Sequence, residues 1–233
     1  PWYVSLRRAE RLHQQGALFV DVRDPAQFAH LRIPGSVRIS ATAMPAKVFL
    51  KGREVVLVAE GHSYTGLEAL AARLRTGGIE ARILFGGLAK WIREGLPVDG
   101  AAGGSVEIFN LGPAQFAVER SFDHWVVIDA GSALDAVAGE RGSRELLQRE
   151  LERRIATLRG PPLSAQLETF VLVVTETGSG YQAVREALAP NASPHVFYLV
   201  GGLDAWRDYA RSQTAMWHPT TYRVGAPSRC GSQ

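Results

Sequence analysis

Two stretches of this chain repeat one arrangement, and that duplication limits the fold more than any composition figure. In the first, Val55-Val56-Leu57-Val58 is an unbroken apolar run, Ala59-Glu60-Gly61-His62-Ser63-Tyr64 is a short polar loop, and Thr65 opens an amphipathic helix. In the second, Phe170-Val171-Leu172-Val173-Val174 runs into Thr175-Glu176-Thr177-Gly178-Ser179-Gly180-Tyr181. Such apolar runs, bounded by turn residues, read as strands buried on both faces. A strand that feeds a tight loop into a helix start turns backbone N–H groups inward. The positive end of the helix dipole adds to them, so each loop reads as a cradle for an anion.

The neighbouring segments repeat in the same order. Ala17-Leu18-Phe19-Val20-Asp21 is echoed by His124-Trp125-Val126-Val127-Ile128-Asp129. Ile83-Leu84-Phe85-Gly86-Gly87-Leu88-Ala89-Lys90-Trp91 is echoed by Tyr198-Leu199-Val200-Gly201-Gly202-Leu203-Asp204-Ala205-Trp206. The second copy is longer between its first two runs, which places an insertion within residues 139–162. Its core, residues 143–158, reads as a helix with Leu147, Leu151, Ile155 and Leu158 on one side. Glu145–Arg149 and Glu150–Arg154 sit at i,i+4 on the other, a solvated face or a partner-binding one.

Residues 4–15 predict a helix that Ser5 can cap, and residues 17–22 a strand broken by Arg23-Asp24-Pro25. A short helix over 26–30, a Pro34-Gly35 turn, a brief strand over 37–39, a strand over 81–84 and a helix over 88–94 follow. Strands alternating with helices predict an α/β protein of two domains, each a small mainly parallel sheet with helices on both faces. Right-handed crossovers then bring Asp21-Val22-Arg23, the Ala59 loop and Gly86-Gly87 to one edge. The expected boundaries are 1–99 for the first domain, 100–106 for a small, Gly-rich linker, 107–212 for the second domain and 213–233 for a tail.

Composition excludes several function classes. No apolar run reaches the roughly 18–20 residues that span a bilayer. The formal charge of +3 comes without a basic run or interleaved aromatics, so no nucleic-acid partner is expected. The single Cys230 excludes an internal disulfide or a C-x-x-C site and reads as a stray tail thiol or an intermolecular one. Six scattered histidines give no metal-ligand spacing, so no metal or other cofactor is expected. No signal peptide is recognisable and Pro1 stands first, which leaves a cytoplasmic or periplasmic soluble setting open.

Phe19-Val20-Asp21-Val22-Arg23, then Phe28-Ala29-His30-Leu31-Arg32-Ile33-Pro34-Gly35-Ser36, then Leu84-Phe85-Gly86-Gly87-Leu88-Ala89-Lys90-Trp91 together resemble the rhodanese family. The second half resembles another rhodanese domain through Val127-Ile128-Asp129-Ala130, the Thr175 loop and Leu199 to Trp206. The resemblance implies tandem domains that pass sulfane sulfur from thiosulfate or a mercapto acid to a thiophilic acceptor. A loop cysteine would carry the persulfide, usually in the C-terminal domain only. That cysteine falls on Ala59 and Thr175, and the loop arginine that would hold the substrate anion falls on Tyr64 and Gly180. The arginine of the first motif is kept as Arg23 and lost at Gly131, and the Pro-Gly turn has no counterpart in the second copy.

Persulfide chemistry needs a polarisable thiolate. A methyl group cannot carry sulfur, and a threonine hydroxyl is far too basic without a positioned base. The expectation is therefore a catalytically inactive tandem protein: a binding or regulatory module, or an accessory that docks a true sulfurtransferase. The alternative is a sulfurtransferase-like or anion-dependent transferase with a non-standard nucleophile, Thr175 or Ser179. Backbone N–H groups survive side-chain replacement, so Glu60, Gly61, His62, Ser63, Tyr64 and Thr65, and Glu176, Thr177, Gly178, Ser179, Gly180 and Tyr181, are the expected ligand loops. Sulfate, phosphate, thiosulfate or a protein partner would bind there or in the inter-domain cleft. Asp21, Arg23 and Asp129 would brace these loops. His62 is expected exposed, or else donating to the anion or acting as a base; Ser63 and Ser179 either on the anion or capping; and Tyr64 and Tyr181 as candidate pocket walls.

Overall fold

The computed structural model describes residues 2–62, 64–100, 107–120, 125–138, 143–158, 170–188 and 195–217. Ser63, His124, Cys230 and most of the expected linker and tail lie outside them.

The first half runs β1 (Tyr3–Val4), α1 (Leu6–Gln14), β2 (Leu18–Asp21), α2 (Pro25–His30), β3 (Leu31–Arg32), β4 (Val37–Arg38), β5 (Glu54–Val58), α3 (Thr65–Thr76), β6 (Glu80–Leu84), α4 (Gly87–Arg93) and β7 (Asp99–Gly100). Five strands form a parallel sheet in the order β1-β6-β5-β2-β4. β5 is central, and its apolar run is fully buried, as a strand covered on both faces must be. α2 starts with a capping box: Asp24 accepts from the Gln27 N–H at 2.9 Å and Gln27 accepts from the Asp24 N–H at 3.3 Å. Pro25 sits in the first helical turn, where its missing donor costs nothing.

Three expectations change here. Tyr3 and Val4 form an edge strand on β6, so the first helix begins after Ser5, whose hydroxyl makes no cap bond. The brief third strand covers only Val37–Arg38. Gly100, expected to open the linker, pairs antiparallel with Leu31 as part of β7. At φ +127° a Cβ there would come within 2.1 Å of the His30 carbonyl oxygen, so the residue serves that close approach and not flexibility.

The second half runs β8 (Asn110–Leu111), α5 (Pro113–Glu119), β9 (Trp125–Asp129), α6 (Gly131–Val137), α7 (Ser143–Leu158), β10 (Phe170–Val174), α8 (Tyr181–Ala187), β11 (His195–Leu199) and α9 (Gly202–Trp217). Its sheet is parallel, in the order β8-β11-β10-β9, which is the order β1-β6-β5-β2 again. β10 ends at Val174, so Thr175 follows it as Ala59 follows β5, and α9 continues past the expected boundary at 212.

The inserted helix α7 covers the expected residues. Leu147, Leu151 and Ile155 are buried, but Leu158, expected on the same face, is 52% exposed in the last turn. Arg154 pairs with Glu150 at 2.7 Å, whereas Arg149 bonds the Glu145 backbone carbonyl at 3.3 Å. Arg154 also donates to the Asp129 carbonyl at 2.6 Å and the Ser132 hydroxyl at 2.8 Å, which ties α7 to the end of β9.

The alternation of β10 divides the core. Val171 and Val173 face the side chains of α6, α7 and α8. Phe170, Leu172 and Val174 join Phe197 and Leu199 in one apolar cluster that continues into the first half, through Tyr64, Phe85 and the first sheet. Phe170 lies 5.6 Å from the Tyr64 ring and 6.1 Å from Phe85. Arg93 of α4 lies over Phe109 at 4.7 Å and donates to the Val196 carbonyl at 3.2 Å. The second sheet thus buries one face partly against the first half.

Phe170→Ala is expected to cost about 3–5 kcal/mol in urea unfolding. Because the cluster is shared, amide hydrogen exchange should quicken in both β5 and β10. Faster exchange confined to β10 would refute a shared core.

Candidate functional site

The three segments expected at one edge do meet there. The Val22 N–H donates to Val58 O at 3.0 Å, and the glycine-pair helix α4 closes onto the loop after β5. Ala59 and Thr175 hold the same place in the two halves. Leu88 N–H donates to Ala59 O and Leu203 N–H to Thr175 O, each at 2.9 Å. The next pair repeats: Ala89 to Glu60 O at 2.8 Å, Asp204 to Glu176 O at 2.9 Å. Gly87 and Gly202, at φ +52° and +63°, permit this approach; a Cβ would come within 2.5 Å and 2.3 Å of the two carbonyl oxygens.

The first loop is closed. Ala59, His62 and Tyr64 are 5%, 1% and 1% exposed. The Tyr64 hydroxyl donates to Gly61 O at 3.1 Å and accepts from Gly86 N–H at 2.7 Å, so Tyr64 is a brace and not a pocket wall. The Tyr64 N–H, expected to face an external anion, donates instead to a carboxylate of the second half: Glu119 Oε2, on α5, at 3.2 Å. Glu119 is itself 4% exposed. An internal anion therefore meets the loop backbone. Ser63 and the side chain of Thr65 lie outside the described residues; Thr65 begins α3.

His62 is neither exposed nor charged at neutral pH. Its ring packs edge-on against Phe197 at 5.3 Å, and burial lowers its pKa to about 4. Burial pushes the Glu60 carboxyl the other way, upward, opposed by the Arg23 charge and the Gln27 amide.

Asp21 and Arg23 form a buried pair. Arg23 Nε lies 3.0 and 3.1 Å from the two Asp21 oxygens, and Nη2 lies 2.6 Å from Asp21 Oδ2 and 2.6 Å from Leu31 O. The pair ties the end of β2 to β3. Asp129 differs: it is exposed, and it accepts from Gly131 N–H at 2.8 Å and the Ser132 hydroxyl at 3.0 Å. Both acids brace loops, but only Asp21 does so through an arginine.

The second loop is open. Glu176, Thr177, Ser179 and Gly180 are exposed, while Thr175 is 3% exposed. The Thr175 hydroxyl donates to Ser179 O at 3.0 Å, so its proton points at a carbonyl and not at a base. Thr177 and Ser179 hydroxyls lie 3.0 Å apart, and Glu176 pairs with Arg207. Tyr181 braces this loop as Tyr64 braces the first, donating to Leu199 O at 2.8 Å and accepting from Thr175 N–H at 3.4 Å. Gly180 is the N-cap of α8, as Tyr64 is of α3; the bracing tyrosine comes one residue later.

Between the halves lies a cleft of about 370 Å³, within the roughly 300–1,000 Å³ of small-molecule sites. Arg23, Gln27, His30, Glu60 and His62 line it from one side, and Ile108, Asn110 and Gln115 from the other. Sequence reasoning named Arg23, Glu60 and His62 but missed Gln27, Asn110, Gln115 and Glu119. One signal was present for the glutamines: Pro-Ala-Gln-Phe-Ala occurs at both 25–29 and 113–117. Among the described residues no three His, Cys, Asp or Glu side chains converge as metal ligands, and no helix is long and apolar enough to cross a membrane.

The lowered pKa of His62 means the unfolded chain takes up a proton that the folded one refuses. Its contribution is present above about pH 6.5 and is lost as pH falls toward about 4. Glu60, raised, acts in the opposite sense. Between pH 7 and 5 the His62 contribution should fall by about 2 kcal/mol, and His62→Gln should flatten the urea-stability profile there. An unchanged slope would refute the assignment.

The rhodanese-like domain family matches residues 7–94. The thiosulfate sulfurtransferase GlpE of Pseudomonas fluorescens (strain Pf0-1) is 36% identical over 103 residues, 42% of this chain and 90% of that protein. The BH2092 protein of Bacillus halodurans is similar at 22% identity and TM-score 0.41, over 46% of this chain and 83% of that one. A rhodanese-related protein of Thermoplasma volcanium is similar at 19% identity and TM-score 0.38, over 42% and 98%. With a sulfurtransferase matched over nearly its whole length, and the strand–loop–helix frame in place around Ala59, this chain belongs to the rhodanese-like family through residues 7–94.

Proposed function

We propose that this chain is a tandem rhodanese-like protein of the sulfurtransferase superfamily that no longer transfers sulfur and works as a binding module. One observation carries the reading. The first loop has a methyl group where the thiolate would stand, and its Tyr64 N–H is engaged by the Glu119 carboxylate of the other half. A persulfide carrier needs both the sulfur atom and open loop donors to hold its charge.

Two further features support it. The repeated strand order and the repeated bonds from the glycine-pair helix to Ala59 O and Thr175 O favour a second copy of the same fold. On this reading the domains cover residues 1–100 and 107–217. Thr175 brings a hydroxyl whose proton is directed at Ser179 O, a backbone carbonyl that cannot serve as the general base a threonine nucleophile needs. The cleft between the halves and the open Thr175 loop remain as the ligand surfaces.

The purified chain should show no thiosulfate:cyanide turnover. Ala59→Cys should not restore it, because that position is 5% exposed and the Tyr64 N–H of the same loop is already taken by Glu119. Turnover by the unsubstituted protein at ordinary enzyme rates, about 1 to 1,000 per second, would overturn the proposal.

A further inference from the structure

The cleft between the halves is lined by polar groups whose directions are fixed. In the first half, Arg23 has its Nε and Nη2 on Asp21 and Leu31 O, so its charge is met internally. Glu60 stands beside it, with the Gln27 amide against its carboxylate. The Gln27 amide cannot flip, because its Oε1 accepts the Asp24 N–H.

In the second half the same device recurs. Gln115 Oε1 accepts the Gly112 N–H at 2.9 Å, which leaves its NH₂ as the group it can offer a ligand. Asn110 is fixed likewise: its Oδ1 accepts from Arg185, which leaves Nδ2. One wall therefore offers a carboxylate and the opposite wall two amide NH₂ groups. An oxyanion entering the cleft would meet Glu60 and Asp24, while the one guanidinium among the described lining residues, Arg23, is already paired with Asp21 and the other basic group there is the exposed His30 imidazole.

From this arrangement we infer that the cleft binds a small molecule carrying an ammonium or amide N–H group next to a carbonyl oxygen, and does not bind thiosulfate or other oxyanions. The N–H group meets Glu60, and the carbonyl accepts from Gln115 and Asn110. The inference rests on the binding-module reading and names the class of ligand for it.

The test is saturation-transfer NMR on the full chain with three probes: glycinamide, acetamide, which lacks the ammonium, and sodium thiosulfate as competitor. Glycinamide is expected to receive saturation and to bind roughly tenfold more tightly than acetamide. Thiosulfate should not displace it. Glu60→Gln, which keeps shape, should reduce glycinamide to the acetamide level. Gln115→Glu keeps the oxygen that accepts the Gly112 N–H but removes the donors, and should abolish acetamide binding. Urea midpoints of both variants check that each is folded. No transfer to glycinamide, transfer unchanged in both folded variants, or displacement by thiosulfate overturns the inference. Cyanide-dependent sulfur turnover would instead overturn the binding-module reading, so the two failures are distinguishable.

Discussion

The contact on which the site depends is the Tyr64 N–H to Glu119 Oε2 bond, 3.2 Å long and buried. A carboxylate taken out of water is costly unless it is hydrogen-bonded. A loop that turns its backbone donors inward is equally costly if nothing accepts from them. Each half of the molecule supplies what the other lacks, so the bond fixes the loop after β5 against α5. The surroundings reinforce it: His62 rests on Phe197, Tyr64 on Phe170, and Arg93 reaches the Val196 carbonyl. With these contacts in place the first loop packs against the second half. The neutral state of His62 follows from that burial, since a charged imidazole against a phenylalanine ring would have lost its water.

Much of this architecture could be read from the residues. The apolar runs at Val55–Val58 and Phe170–Val174 announced central strands because nothing polar interrupts them. The glycine pair at 86–87 was placed at the same sheet edge as the Ala59 loop, where it lies; the close approach it permits shows only in the structure. The inserted helix followed from leucines and an isoleucine at helical spacing. Short edge strands were not legible: Tyr3–Val4, Leu31–Arg32 and Asn110–Leu111 are two residues each, too short for any period to show. Gly100 was misread because a glycine demanded by a close carbonyl looks in sequence like a glycine demanded by flexibility.

The site was half legible for a related reason. Which residue follows a buried strand is a local matter, so Ala59 and Thr175 were found. Which residue lies opposite them is a matter of tertiary contact, and Glu119 carries no local mark of its partner. The asymmetry of the two acids shows the same limit. Asp21 and Asp129 end equivalent strands, yet Arg23 makes the first the centre of a buried ion pair, while Gly131 leaves the second to cap its own turn. A single side chain two positions away decides the difference.

What holds this frame when alanine or threonine follows the strand? The bonds that define the strand–loop–helix unit run between backbone atoms: Leu88 N to Ala59 O, Leu203 N to Thr175 O, and the pair beside each. They ask glycine at positions 87 and 202 and ask nothing of the side chain at 59 or 175. A methyl or a hydroxyl group there leaves the frame intact, because the frame never used a sulfur atom. The inward N–H groups remain a requirement, and a buried donor must find an acceptor. Glu119, from the neighbouring half and already fixed by the fold, satisfies the Tyr64 donor at lower cost in ordering than a diffusing ion would. On the proposed reading, the missing nucleophile and the buried loop donor go together, and the polar cleft beside them is the surface open to a ligand.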